Sequence, residues 1–228
     1  GLKELAQVMK KNGAKAIVQI HHGGAQALPE LTPDGDVVAP SAISLKSFGQ
    51  QKEHDAREMT AEEIEQTIRD FGEATRRAIE AGFDGVEIHG ANHYLIHQFV
   101  SPYYNRRNDV WADNYKFPVA VIDEVVKAKK AHANDDFIIG YRLSPEEAES
   151  PGISMEITEE LIHQIANKPL DYIHVSLMDV NSVTREGKYK GENRLELIHQ
   201  WINGRMPLIG IGSVFTAEDA LNAVENIG

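Results

Sequence analysis

Between Gly82 and Arg107 the chain reads GFDGVEIHGANHYLIHQFVSPYYNRR, and within it His89, Asn92 and Tyr94 fall inside six positions. Two hydrogen-bond donors and a phenol gathered where a strand ends can hold a carbonyl oxygen and deliver a proton beside it. Each residue alone is an ordinary loop side chain; the three together point to chemistry. Other polar groups fall at similar strand ends: Gln19 and His21, Arg142, Ser176, and Gly212 with Ser213. Two of these have plainer readings. Arg142 could form an interior ion pair with Glu87, and Gly212–Ser213 could be a tight strand-to-helix turn. Histidines offer a second chemistry. His93 and His97 have i, i+4 spacing and His21–His22 ends a strand, as in zinc sites. No acidic motif or H-E-x-x-H pattern completes a ligand set, so no metal site is expected. His93, His97, His163 and His199 are then read as helix-surface or half-buried residues.

These groups need elements to aim them. Val- and Ile-rich runs read as strands at about Lys15–His21, Asp84–His89, Phe137–Leu143, Asp171–Leu177 and Pro207–Ser213. Helical patterns lie near Leu2–Lys11, Ala61–Ala81, Phe117–Ala133, Glu159–Asn167, Arg194–Ile202 and Ala217–Val224. Thr60 with Glu63 is a capping box, and Thr216 with Asp219 a weaker one. Strands separated by helices must be parallel with right-handed crossovers. No G-x-G-x-x-G turn follows the first strand, and functional groups sit at the carboxyl ends of several strands, which is the mouth of a (β/α)8 barrel. Five strands are too few for a closed barrel, so an incomplete TIM-barrel segment is expected. Two long connections, residues 23–59 and 90–116, are expected to serve as active-site loops.

Composition excludes several classes. With 42% hydrophobic and 25% charged residues in a chain of 228, disorder is ruled out. A net charge of −12 argues against a nucleic-acid binder. There is no apolar run of membrane-spanning length. The absence of cysteine removes disulfides and thiolate chemistry. A cytoplasmic location is the natural expectation.

At this point the sequence resembles the old yellow enzyme family of FMN-dependent oxidoreductases. VQIHHGG (Val18–Gly24) is similar to that family's third strand, and VAPSAI (Val38–Ile43) with REMTAEEIEQTIRDF (Arg57–Phe71) to its next loop and helix. AGFDGVEIHGANHYLIHQFVSP (Ala81–Pro102) is similar to its fourth strand and active-site loop. IIGYRLS (Ile138–Ser144) and PLIGIGSVFTAEDA (Pro207–Ala220) resemble its fifth and seventh strands. The resemblance implies a segment covering strands three to seven, without the first two or the last, as a single domain over 1–228. It implies FMN as cofactor and NADH or NADPH as reductant. His89 and Asn92 then hold the oxygen of a small substrate with an activated alkene or nitro group. Hydride comes from flavin N5 and the proton from Tyr94. Gln19 is implied at the flavin pyrimidine edge, Arg142 beside N1 and the C2 carbonyl, and Gly212 and Ser213 at the phosphate. Ala25 and Gln26 stand where many members have arginine. Self-association, or further segments that complete the barrel, is the expected kind of partnership. A catalytically silent barrel scaffold and a metal-dependent barrel hydrolase are the alternatives.

Overall fold

A computed structural model describes residues 1–226. Helix α1 (Leu2–Lys10) leads into β1 (Ile17–Ile20). Three short strands follow, β2 (Val38–Ala39), β3 (Ile43–Leu45) and β4 (His54–Glu58), then helix α2 (Ala61–Glu80). Strand β5 (Gly85–Gly90) is followed by a short helix α3 (Leu95–Val100) and a long one, α4 (Lys116–His132). The chain then alternates through β6 (Ile138–Leu143), α5 (Met155–Ile165), β7 (Tyr172–Val175), α6 (Arg194–Ile202), β8 (Leu208–Gly210) and α7 (Ala217–Asn226).

The five major strands form one parallel sheet in the order β1-β5-β6-β7-β8. This α/β arrangement of parallel strands and outer helices is the barrel-segment architecture expected above. Strand β5 is interior to the sheet, between β1 and β6, and buried at every position, as a parallel strand covered on both faces must be. Helix α2 starts at the capping box: Thr60 Oγ1 accepts from the Glu63 N–H at 3.2 Å, and Glu63 returns a bond to the Thr60 N–H at 2.8 Å. Its buried stripe, Ile64, Thr67, Phe71, Thr75 and Ala78, follows helical spacing. Where α2 meets α4, a Cβ on Gly72 would come within 2.8 Å of Glu124, so glycine permits the close approach. Among the described residues no helix is long and apolar enough to cross a membrane.

Some expectations shift. Strands end earlier than their apolar runs, because ladder pairing stops at Ile20, Val175 and Gly210 and the next residues turn into the mouth. Helix α5 begins at Met155, four residues ahead of the reading from Glu159, because Ser154 caps it by accepting from the Ile157 N–H. The two long connections are not structureless. Residues 23–59 carry a second sheet of order β2-β4-β3. Residues 90–116 contain α3, whose six residues are all buried. An all-round buried helix has no amphipathic period to betray it.

Candidate active site

His89 is the fifth of six residues in β5 and only 4% exposed. Just beyond it the backbone turns through two successive left-handed residues, Asn92 (φ 57°) and His93 (φ 59°), neither of them glycine. Such conformations cost on the order of 1 kcal/mol or more each and concentrate at functional sites. The turn seats Tyr94 at the N-cap of α3, with its ring edge-on to His89 at 5.0 Å between centroids. His21, from the end of β1, lies 5.0 Å from the same phenol. Gln98 of α3 braces the turn from behind, donating to the His93 carbonyl at 2.6 Å and accepting from the Ala25 N–H at 3.1 Å.

Hydrogen bonding settles which atoms remain available. His89 Nδ1 accepts from the Ala91 N–H at 3.2 Å, so in the neutral ring the proton sits on Nε2. Burial, then the nearby Arg142 and His21 charges, lower the His89 pKa to about 4, which keeps that ring neutral near pH 7. A guanidinium only donates, so Ser176 Oγ accepts from Arg142 at 3.0 Å and must pass its own proton on. It passes to Asn92 Oδ1 at 2.8 Å. Ser144 holds the same residue from the other side, accepting from its backbone N–H at 2.9 Å. The Asn92 amide oxygen is thereby occupied, and its NH₂ is the end left to donate. Asn92, Tyr94, Arg142, Ser144 and Ser176 line one cleft of about 690 Å³.

One tier deeper on the same sheet face, Glu87 accepts from Gln19 at 2.5 Å, from Tyr172 at 2.9 Å and from His174 at 2.9 Å. Burial works against its ionisation, but the bonds from His174, Gln19 and Tyr172 outweigh it and hold the carboxyl below its ordinary value. Gly140 faces the Tyr172 ring where a Cβ would collide with it, so this glycine lets Tyr172 reach Glu87. The ion pair of Arg142 with Glu87 does not form: Glu87 is occupied by neutral donors and His174, and Arg142 turns to Ser176 instead.

Gly212 (φ 118°) and Ser213 (φ 54°) lie past β8. A Cβ on Gly212 would meet the backbone of Met178 and Asp179 at 2.6 Å, and Ser213 Oγ donates to the Met178 carbonyl at 3.0 Å. This turn therefore clamps the loop after β7, whose Leu177, Met178 and Asp179 line the cleft. The structure thus brings His89, Asn92, Tyr94 and Arg142 together, sets Gln19 one tier below, and leaves Gly212 and Ser213 at the rim. Ser144 gave no sequence signal of its own; Ser176 was visible as a strand-end polar residue, but its role was not. His97, read as a helix-surface or half-buried residue, is instead fully buried.

A model of the NADH:flavin oxidoreductase / NADH oxidase family matches residues 1–227. The chain belongs to that family. It is 51% identical over 230 residues to the probable NADH-dependent flavin oxidoreductase YqiG of Bacillus subtilis, covering 99% of this chain and 60% of that protein. It is 41% identical over 232 residues to the NADH:acrylate oxidoreductase of Vibrio harveyi, covering 99% of this chain and 23% of that one. The chain therefore spans less than two thirds of either relative. The old yellow enzyme homologue of Zymomonas mobilis superposes with a TM-score of 0.78 at 22% identity, over 98% of this chain and 63% of the other, which shows a shared fold. Family membership makes FMN the expected cofactor, with a reduced nicotinamide as reductant. The residues fit a heterocycle with alternating donors and acceptors: Arg142 Nε and His174 Nε2 are buried without partners on the face that carries Gln19.

Proposed function

We propose that this chain carries the FMN-dependent active site of an NAD(P)H-driven oxidoreductase that reduces activated C=C bonds. The observation behind this reading is the pair of unspent donors, His89 Nε2–H and the Asn92 NH₂, beside the Tyr94 phenol. Gln19 and Arg142 would hold the ring edge of FMN, and the Gly212–Ser213 backbone its phosphate. When bound, FMN takes hydride from NADH or NADPH and supplies it to the substrate.

The chain's own residues do the rest. His89 and Asn92 donate to a carbonyl, carboxylate or nitro oxygen conjugated with the double bond. That oxygen gains negative charge as the β-carbon is reduced, so fixed donors favour the transition state over the ground state. Neutral His89 donates without giving up its proton, which its low pKa would otherwise make easy to lose from the charged form. Tyr94 protonates the α-carbon, which is far more basic than a phenolate. The substrate class is a small molecule with an activated alkene or nitro group. The acrylate named for the Vibrio harveyi relative makes unsaturated carboxylates the first to try.

The deciding experiment reconstitutes the protein with FMN, supplies NADH or NADPH, and compares wild type with Tyr94→Phe on an enone and on acrylate. The variant should lose alkene reduction by about 10²- to 10⁴-fold while single-turnover reduction of the flavin by the nicotinamide keeps the wild-type rate. Equal alkene reduction by both proteins removes Tyr94 from the chemistry. A wild-type protein that oxidises NADH but reduces no activated alkene overturns the proposal.

A further inference from the structure

Behind the same turn lies a second cluster, reached from the cleft wall by His93 and from the interior by His97. His97 Nε2 lies 2.7 Å from Glu147 Oε2, and His93 Nδ1 lies 3.6 Å from that oxygen. The imidazole rings are 4.5 Å apart, and one ligand atom from each of His93, His97 and Glu147 falls within 4.8 Å of the others. Side-chain exposure is 0% for His97 and 1% for Glu147. The other Glu147 oxygen is held in place by the Ile153 N–H at 2.7 Å and by the Ser101 hydroxyl.

Two further observations mark this cluster as unfinished. His93 Nδ1, His97 Nδ1 and Glu149 Oε2 are buried without a hydrogen-bond partner, three such atoms in one small region. Buried polar atoms are rarely left so in a finished structure. In addition, His93 adopts φ 59°, a conformation that glycine takes freely and histidine only under strain. No lysine or arginine pairs with Glu147 or Glu149 among the described residues, so nothing but the imidazoles offsets their charge.

We propose that His93, His97 and Glu147 form a zinc site that ties the active-site turn to the loop after β6. Two imidazole nitrogens and one carboxylate oxygen are a ligand set that suits Zn²⁺, with a fourth position for water or Glu149. Zinc–ligand bonds of 2.0–2.2 Å place tetrahedral ligand atoms about 3.4 Å apart. Two of the three ligand-atom separations, 2.7 and 3.6 Å, bracket that value and the third is no more than 4.8 Å, so side-chain shifts on the order of 1 Å close the site. Zinc has no redox chemistry, so the site does not rest on the flavin reading. His97 Nδ1 has no acceptor to fix it, and a missing outer partner of this kind weakens binding by about 10–100-fold. Micromolar rather than nanomolar affinity is the expectation.

The test uses the purified, chelator-treated protein without FMN, titrated calorimetrically with zinc chloride and followed by thermal melting. Wild type should take up one equivalent, and zinc at a hundredfold excess over Kd should raise Tm by about 5–10 °C. His93→Gly suits the local backbone and so preserves the fold; it should bind at least tenfold more weakly and lose about half or more of the Tm shift. Glu147→Gln should do the same. Wild type without saturable zinc uptake, or His93→Gly binding within threefold of wild type, overturns the proposal.

Discussion

The turn between β5 and α3 faces two ways, and its two sides are finished to different degrees. Toward the cleft, Asn92 Oδ1, Ser176 Oγ and His89 Nδ1 are tied to neighbours, Arg142 keeps one buried unpartnered donor, Nε, and the free donors of His89 and Asn92 lie where a substrate would bind. Toward the interior, His93, His97 and Glu147 share one strong contact and leave buried nitrogens unanswered. Two consecutive left-handed residues shape the turn, and His93 sits where its two sides meet, lining the cleft beside Asn92 and Tyr94 while its Nδ1 lies 3.6 Å from Glu147. The difference teaches what each side waits for. The cleft side is a set of donors organised in advance, complete except for the charge that develops in a transition state. The interior side is short of a positive charge in its resting state.

Three experiments sharpen or break this contrast. The largest effect should come from His89→Ala, which removes one of the two free donors while leaving Asn92 in place. Turnover on an activated alkene should fall by about 10²- to 10³-fold. A drop below tenfold, measured as kcat, would mean that the cleft donors do not bear on the reacting oxygen.

Next comes acid stability. His89 is held neutral with a pKa of about 4, below the ordinary 6.5, because burial and the Arg142 charge disfavour its cation. Between these two values the unfolded chain binds a proton that the folded one refuses, so stability rises with pH in that window. Acidifying from pH 6.5 to 4 should remove about 3 kcal/mol from this ring alone. Below about pH 3, where the folded ring is also protonated, no further loss arises from it. Urea midpoints for wild type and His89→Gln across that range check the sign: the glutamine variant should show a visibly shallower acid limb.

The smallest effect is expected from Ser176→Ala. Without that hydroxyl the Asn92 amide oxygen loses its shorter hydrogen bond and keeps only the long one from the Ser144 hydroxyl at 3.4 Å, so the aim of the NH₂ loosens. A fall in kcat of about tenfold, the cost of one hydrogen bond of ordinary strength, with rescue by Ser176→Thr, supports a positioning role. Loss of folding in the alanine variant alone, seen by circular dichroism, would make the serine merely structural.

Much of the cleft side was legible before any coordinates. His89, Asn92 and Tyr94 lie within six positions of each other, so a local turn suffices to bring them together. Arg142 and Gln19 sit at the ends of strands whose Val/Ile runs are plain in the sequence. The interior side was not legible. Glu147 is separated from His97 by 50 residues, and helix α3 has no polar face to announce that its histidine points inward. Nor could spacing foresee that Glu87 would be claimed by Tyr172 and His174, leaving Arg142 to Ser176.

By itself, then, the sequence determined the period of its elements, their parallel order, and the residue types delivered to each strand's carboxyl end. These are consequences of local propensity, capping and alternation, which act over a few residues. Only the tertiary structure decided the proton on His89, the orientation of Asn92, the partner of Arg142 and the burial of His97. The proton on His89 follows from a local turn that brings the Ala91 N–H onto its Nδ1, while the others depend on groups brought in from distant segments, and hydrogen bonds reach only about 3 Å, a distance that chain spacing does not encode.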